Sequence, residues 1–344
     1  MTIKKDFFNY DYNDLLSLCS EHNLKPFLAK QLYDWVYKKF VFDFDKMTNI
    51  SKQNIFFLKD FFYFSKLKVD QLLKDKDGTV KFLFELEDGN KIESVIMNFE
   101  YGNSLCVTSQ VGCNMGCKFC ASGQLKKIRN LIASEIVLQL MHANLYLLQN
   151  NLPKIRNIVV MGIGEPLDNY DNLKKFLNII RDDLGLALGS RKITISTCGL
   201  VKKLKTFVNE FPQVGIAISL HAPNDLIRNQ LMPINQVYNI NEIITTSKDI
   251  IKSTNRRITF EYIMLKGIND TKECAQQLGK LLKGILCYVN LIPYNSVDNT
   301  SFQRSDNIKT FINELKKYKI IVTVRQEKGS DINGACGQLR AKSL

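Results

Sequence analysis

From Ser104 onward the sequence alternates seven short runs rich in β-branched residues with longer runs whose apolar residues recur at helical spacing. The strand-like runs are SLCVTSQ, RNIVVMG, RKITISTCG, VGIAISLHA, RRITFEYIML, CYVNLIPYN and KIIVTVRQ. Between them the spacing predicts helices over residues 134–149, 172–181, 240–252 and 272–282, among others. A helix between two strands carries the chain back to its starting side, so the strands pair in parallel and the helices pack outside. The fold class is therefore α/β, a parallel sheet or barrel with its ligand site at the C-terminal strand ends. Ser134 is placed as the N-cap of the first long helix, with Glu135 in the first turn, where the helix dipole favours an acid.

The chain before this core reads differently. From Tyr12 to about residue 65 the apolar residues follow a helical period, which predicts a small helical module over residues 1–65. Over residues 66–99 the period switches towards two, and KDGT and EDGN mark hairpin turns around VKFLFEL and IESVIM. That segment is predicted to be a short β meander leading into a core spanning residues 100–344. A length of 344 residues, 45% hydrophobic and 24% charged, suits such a two-part globular protein and excludes a disordered chain. No run approaches a membrane span and no leader-like segment opens the chain, so a cytoplasmic protein with no membrane contact is expected. Thiols stay reduced there, and nine cysteines need a purpose other than disulfide staples.

Three of them are concentrated in CNMGCKFC: Cys113, Cys117 and Cys120, spaced C-x3-C-x2-C just after the first core strand. Three thiolates in one loop suit a soft metal. A structural zinc or an all-cysteine iron–sulfur cluster needs a fourth ligand, and no fourth cysteine follows in this loop. Three ligands leave one iron of a cubane cluster open to bind a substrate directly. Polar or flexible groups also fall at the predicted strand ends: Gly164 and Glu165 in GIGEP, Ser196, the Ser219–Leu220–His221 run, and Asn295 in IPYN. Two further cysteines stand apart, Cys106 on the first core strand and Cys336 in the Gly-rich NGACGQL tail.

The triplet, with Phe119 before its last cysteine, resembles the radical S-adenosylmethionine (SAM) superfamily. The ordered set SLCVTSQVGCNMGCKFCASG, GIGEP, STCG, ISLHAPND, LMPIN, VNLIPYN and DINGACGQL is similar to the RlmN/Cfr family of radical SAM RNA adenine methyltransferases, with GIGEP and HAP resembling its RlmN branch. The resemblance implies a partial (β/α)6-type radical SAM barrel with an N-terminal accessory domain. It implies a [4Fe-4S] cluster on Cys113, Cys117 and Cys120, and SAM bound near Gly164, Glu165, Ser196, Ser219, Leu220, His221 and Asn295. Two SAM molecules would be used per turnover, one as methyl donor and one as radical source. The product would be 2-methyladenosine in 23S rRNA and in tRNA, at the adenosine 3′ of the anticodon.

An aromatic C2 carbon is electrophilic and takes no methyl by simple displacement, whereas a thiolate takes one readily. The resemblance accordingly gives Cys336 the role of methyl carrier. Cys106 would resolve a thioether adduct between Cys336 and RNA through a transient disulfide, and Glu93 would accept a proton. A flavodoxin or ferredoxin would supply electrons to a monomeric enzyme. Cys19, Cys198, Cys274 and Cys287 read as packing residues.

Charge supports a polyanionic partner. Residues 1–100 hold 15 Lys+Arg against 16 Asp+Glu, while the remainder holds 32 against 18. Lys126, Lys127, Arg129, Arg191, Lys192, Lys202, Lys203, Lys205, Arg256 and Arg257 are the candidate phosphate contacts. Two other readings stand beside the leading one: a Cfr-like methylation of C8 of the same base, and a non-catalytic RNA-binding protein with a structural metal.

Overall fold

The computed structural model describes residues 3–341. Helices α1 (Tyr12–Glu21), α2 (Phe27–Tyr33) and α3 (Lys52–Phe61) build the N-terminal module. Asp11 and Asp14 cap α1 reciprocally, each carboxylate accepting the other's amide at 3.0 Å. Its core is aromatic: Phe7, Phe8, Tyr33, Tyr37 and Phe62 are all buried, and Phe7 meets Phe62 edge-on at 5.4 Å. Burying a Phe side chain contributes about 1.5–3 kcal/mol, so these rings are the main apolar contacts of the module.

Ten strands then form one sheet: β1 (Lys68–Lys74), β2 (Val80–Glu85), β3 (Lys91–Phe99), β4 (Gly102–Cys106), β5 (Asn157–Val160), β6 (Ile193–Thr197), β7 (Gly215–Ser219), β8 (Ile258–Met264), β9 (Cys287–Pro293) and β10 (Ile321–Val324). Neighbours in the sheet are neighbours in sequence from one edge to the other. Strands β1 to β4 pair antiparallel, as the two hairpin turns required, and β4 to β10 pair in parallel. The crossovers are α4 (Ala133–Gln149), α5 (Tyr170–Arg181), α6 (Val201–Glu210), α7 (Asp225–Leu231) with α8 (Ile240–Thr254), α9 (Lys272–Leu282) and α10 (Ile308–Lys316). On α5 the buried set Leu173, Phe176, Leu177, Ile179 and Ile180 faces the sheet, which is why a short helix with polar residues on its other side is stable there. The registers Cys106↔Val159 and Ser219↔Glu261 fix which residues share the C-terminal rim.

One expected detail is different. Helix α4 begins at Ala133, so Ser134 lies inside the first turn, and its buried hydroxyl has no hydrogen-bond partner. The helix start is capped from elsewhere. Asn172 Oδ1 accepts the Ala133 amide at 3.2 Å, Asn9 Oδ1 accepts the Ser134 amide at 2.9 Å, and the Glu135 carboxylate accepts the Ile132 amide at 3.0 Å. The Asn9 contact and the Lys175–Asp14 ion pair at 2.7 Å also tie the N-terminal module to the core.

Candidate active site

The loop after β4 is folded back on itself. A two-residue ladder pairs Gln110–Val111 with Arg129–Asn130 at its base. Gly112, at φ +74°, allows this closure: a Cβ there would lie 2.2 Å from the Lys126 carbonyl oxygen. The result places Cys113, Cys117 and Cys120 on one wall of a cavity of about 140 Å³ at the C-terminal strand ends. Gly164, Glu165, Ser196, Ser219, His221 and Cys336 line the same cavity.

Burial pushes all three loop thiols up, Cys113 to about 11, so they stay protonated until a metal takes the place of the proton on sulfur and the proton leaves to solvent. Among the described residues no three His, Cys, Asp or Glu side chains are arranged around a single metal ion. Three soft thiols spread along a cavity wall suit a multi-iron cluster, whose own width separates its ligands.

Each strand-end residue has an identifiable situation. Glu165 is buried; its two carboxylate oxygens accept the Leu167 amide at 3.1 Å and the Cys198 amide at 2.8 Å, so it braces β6 against the GIGEP turn. His221 has φ +55° and accepts the Ile263 amide on Nδ1 at 3.0 Å, which leaves its proton on Nε2. Burial lowers its pKa to about 3, with the Arg228 charge adding to the effect, so the ring is neutral; it sits edge-on to Phe119 at 4.8 Å. Leu220, Asn295 and Glu93 are not brought to the cavity wall. The Leu220 carbonyl accepts from Arg228 at 3.2 Å, and Asn295 Nδ2 donates to the Cys336 carbonyl at 3.2 Å.

Glu93 serves the tail in this structure. It forms a buried ion pair with Lys81 at 3.0 Å, and its other oxygen accepts the amides of Arg340 and Ala341 at 2.8 and 2.9 Å. The tail is held from the opposite side by the cysteine loop: Ser122 Oγ donates to the Leu339 carbonyl at 2.7 Å. Cys336 is thereby set between the main cavity and an adjoining pocket lined by Cys106, Cys120 and Arg325. Burial, and then the nearby Cys336, push the Cys106 thiol up to about 12, whereas Cys336 is the largest influence raising the pKa of Arg325. All nine cysteines are free thiols in the structure, so the expected Cys106–Cys336 bond is not formed in it.

Two residues escaped the sequence reading. Arg228 is fully buried and donates to the carbonyls of Cys198, Ser219, Leu220 and Tyr238 and to Asn235 Oδ1, stitching two strand ends to α7. Its signal was a cation on the apolar side of a short helix, between Ile227 and Leu231. Arg325, directly after β10, carried no motif at all. The basic runs also look different in three dimensions. Lys127 pairs with Asp168 at 2.6 Å, Arg129 with Asp88 and Glu135, and Lys205 with Asp249, while Arg256 donates to main-chain carbonyls. Much of that charge balances the fold itself, whereas Lys126, Lys192 and Lys202 open to solvent.

Comparison with known proteins gives the context of this geometry. Residues 107–277 match the Radical SAM superfamily, and residues 5–60 match the Ribosomal RNA large subunit methyltransferase N-terminal domain. Over 343 residues the chain is 51% identical to the "Probable dual-specificity RNA methyltransferase RlmN" of Malacoplasma penetrans, covering 99% of this chain and 97% of that one. The chain belongs to the RlmN family of radical SAM methyltransferases. A second RlmN relative, from Spiroplasma citri, is 52% identical over 336 residues, 98% of this chain and 97% of that one. A crystal structure of a radical SAM methyltransferase from Sphaerobacter thermophilus superimposes with a TM-score of 0.92 at 37% identity, over 98% of this chain and 99% of that one. As a member of this family the chain is an enzyme that works with a [4Fe-4S] cluster and SAM, and the Cys113, Cys117 and Cys120 donor set fits that cluster. The structural-metal alternative is thereby set aside. Among the described residues no helix is long and apolar enough to cross a membrane.

Proposed function

We propose that this RlmN-family enzyme methylates C2 of an adenosine in 23S rRNA and in tRNA, at the adenosine 3′ of the anticodon, with Cys336 carrying the methyl group. One observation carries the reading: the tail delivers Cys336 to the wall of the cavity that the three-cysteine loop lines, with Cys106 in the adjoining pocket. When bound, the cluster and SAM supply the radical chemistry that activates an S-methyl group. Cys113, Cys117 and Cys120 hold that cluster, and the neutral His221, Ser196, Ser219 and the Gly164 backbone border the space left for SAM.

Cys336 Sγ takes a methyl group, and that carbon, once the bound cluster and SAM have supplied the radical that removes one of its hydrogens, would bridge sulfur and adenine as an S–CH2–C2 thioether, with the C2 proton given up to a base. The Cys106 thiolate then attacks the Cys336 sulfur: an S–S bond forms, the sulfur–CH2 bond breaks, and the departing carbon keeps the electron pair and takes up a proton to become the methyl group on C2. Two electrons from a thiol reductant return both cysteines to thiols. Arg325 lines the pocket that holds both sulfurs, and its charge favours the Cys106 thiolate. Glu93 retains its expected role as proton acceptor only once the tail releases its carboxylate, since Lys81, Arg340 and Ala341 occupy it here. A monomeric enzyme, a flavodoxin or ferredoxin as electron donor and a cytoplasmic location complete the proposal.

Nucleoside mass spectrometry of RNA treated with the reconstituted enzyme tests it. The expected product is 2-methyladenosine; 8-methyladenosine would move the chain to the Cfr-like reading, and unmodified adenosine would refute RNA methylation by this site.

A further inference from the structure

Where β3 turns into β4, two aromatic rings lie flat against each other at the surface. The rings of Phe99 and Tyr101 are 4.9 Å apart and only 10° from parallel, and Tyr101 is 58% exposed. Phe99 covers one face of Tyr101, so the other face is open to solvent. A parallel exposed pair leaves apolar area in water that a folded monomer gains nothing by presenting.

The surroundings of the pair are cationic. Lys328 Nζ lies 5.7 Å from the Phe99 ring centre, and its ion pair with Asp77 is long, at 4.0 Å. The exposed Arg156 packs against Gly102 and donates from Nη1 to the Tyr101 carbonyl at 3.3 Å. Glu100, on the same turn, opens to solvent. Lys328 also lines a groove with Met97, Asn295, Arg325 and Cys336, so the cation beside Phe99 belongs to the wall of the groove that reaches Cys336. Arg325 and Cys336 share that same groove's lining.

A base whose C2 must meet Cys336 has left its helical stack, and its neighbours in the strand have lost a stacking partner as well. An open aromatic face flanked by cations is what such a strand binds: the ring replaces the lost stack and the cations meet the phosphates. A protein partner would need a larger closed apolar patch than two rings ringed by charge.

We propose that the Phe99–Tyr101 pair is a stacking platform for an unpaired RNA base adjacent to the adenosine that enters towards Cys336. This rests on the reading of RNA as the substrate. Stacking is tolerant of sequence, so the platform contributes affinity and register without choosing a base.

The test uses reconstituted holoenzyme and a short RNA hairpin with an unpaired loop adenosine, with binding followed by fluorescence anisotropy across a salt series. Tyr101→Ala is expected to weaken binding roughly tenfold at every salt concentration. The slope of affinity against salt should be unchanged, because no phosphate contact is lost. Tyr101→Phe and Tyr101→Trp should bind as the parent does, which a structural role for the hydroxyl would not allow. Parent-like binding by Tyr101→Ala, or equal weakening in all three variants, overturns the platform and leaves the RNA substrate standing. Failure of the unaltered enzyme to bind the hairpin overturns both.

Discussion

The amide of Ala121 donates to the carbonyl of Gly337 at 2.8 Å. Each residue directly follows a cysteine that lines the cavity, Cys120 in the loop and Cys336 in the tail. This main-chain hydrogen bond joins the three-cysteine loop directly to the tail. Such a bond needs no particular side chain, so the coupling between the two parts of the site is built into the backbone.

The roles proposed for Cys106 and Cys336 are separable. Cys106→Ala should leave Cys336 methylation intact and accumulate a covalent RNA–protein species, seen as a shifted band on a denaturing gel that reductant does not reverse. Free product at the unaltered rate in that variant would remove Cys106 from the mechanism.

Resolution of the adduct should depend on pH. Cys106 is pushed up to about 12 chiefly by burial, with Cys336 the smaller influence. Burial persists when Cys336 is alkylated, so the thiol stays mostly protonated at neutral pH. The thiolate fraction, and with it the decay rate of a preformed adduct, should rise roughly tenfold per unit between about pH 7 and pH 9. A rate that is flat over this range, measured by quench and gel, contradicts attack by the Cys106 thiolate.

The buried Lys81–Glu93 pair, with side chains 5% and 3% exposed, anchors the tail. Lys81→Met leaves a buried carboxylate without its cation and should cost about 3–5 kcal/mol in urea unfolding. Amide hydrogen exchange at Arg340 and Ala341, whose N–H groups donate to Glu93, should quicken in the same variant. Unchanged exchange there would show that the tail is held without this pair.

Arg228→Met should be comparably damaging. The fully buried guanidinium donates to four main-chain carbonyls, of Cys198, Ser219, Leu220 and Tyr238, and methionine would leave all four unpaired. A loss of about 3–5 kcal/mol is expected by chemical denaturation. Arg228→Lys should recover little of it, because an ammonium cannot span the same fork of acceptors. Parent-like stability of either variant would mean that Arg228 does not organise the strand ends.

Much of this architecture was legible because periodicity is local. The helix predicted over 272–282 forms over Lys272–Leu282, and both DG turns join the strands expected of them. The cysteine loop was legible because ligand spacing is a short-range constraint. What failed to show was long-range. The cap of α4 comes from Asn9 and Asn172, far away in the chain, so Ser134 looked like the natural candidate. Arg228 resembled any cation on a short helix, because the four carbonyls that explain it gather only once β6, β7 and the segment beyond α7 have folded. Glu93 sits on a strand opposite Leu83, and nothing nearby in sequence reveals that the tail comes back to occupy its carboxylate.

Peptide mass mapping of reconstituted enzyme incubated with methyl-labelled SAM, before and after addition of substrate RNA, tests methyl carriage by Cys336. The label is expected on Cys336 first and on C2 of adenine afterwards, with the Cys336 peptide returning to its unmodified mass. Label appearing in RNA while Cys336 stays unlabelled throughout, or settling on another residue, would contradict it.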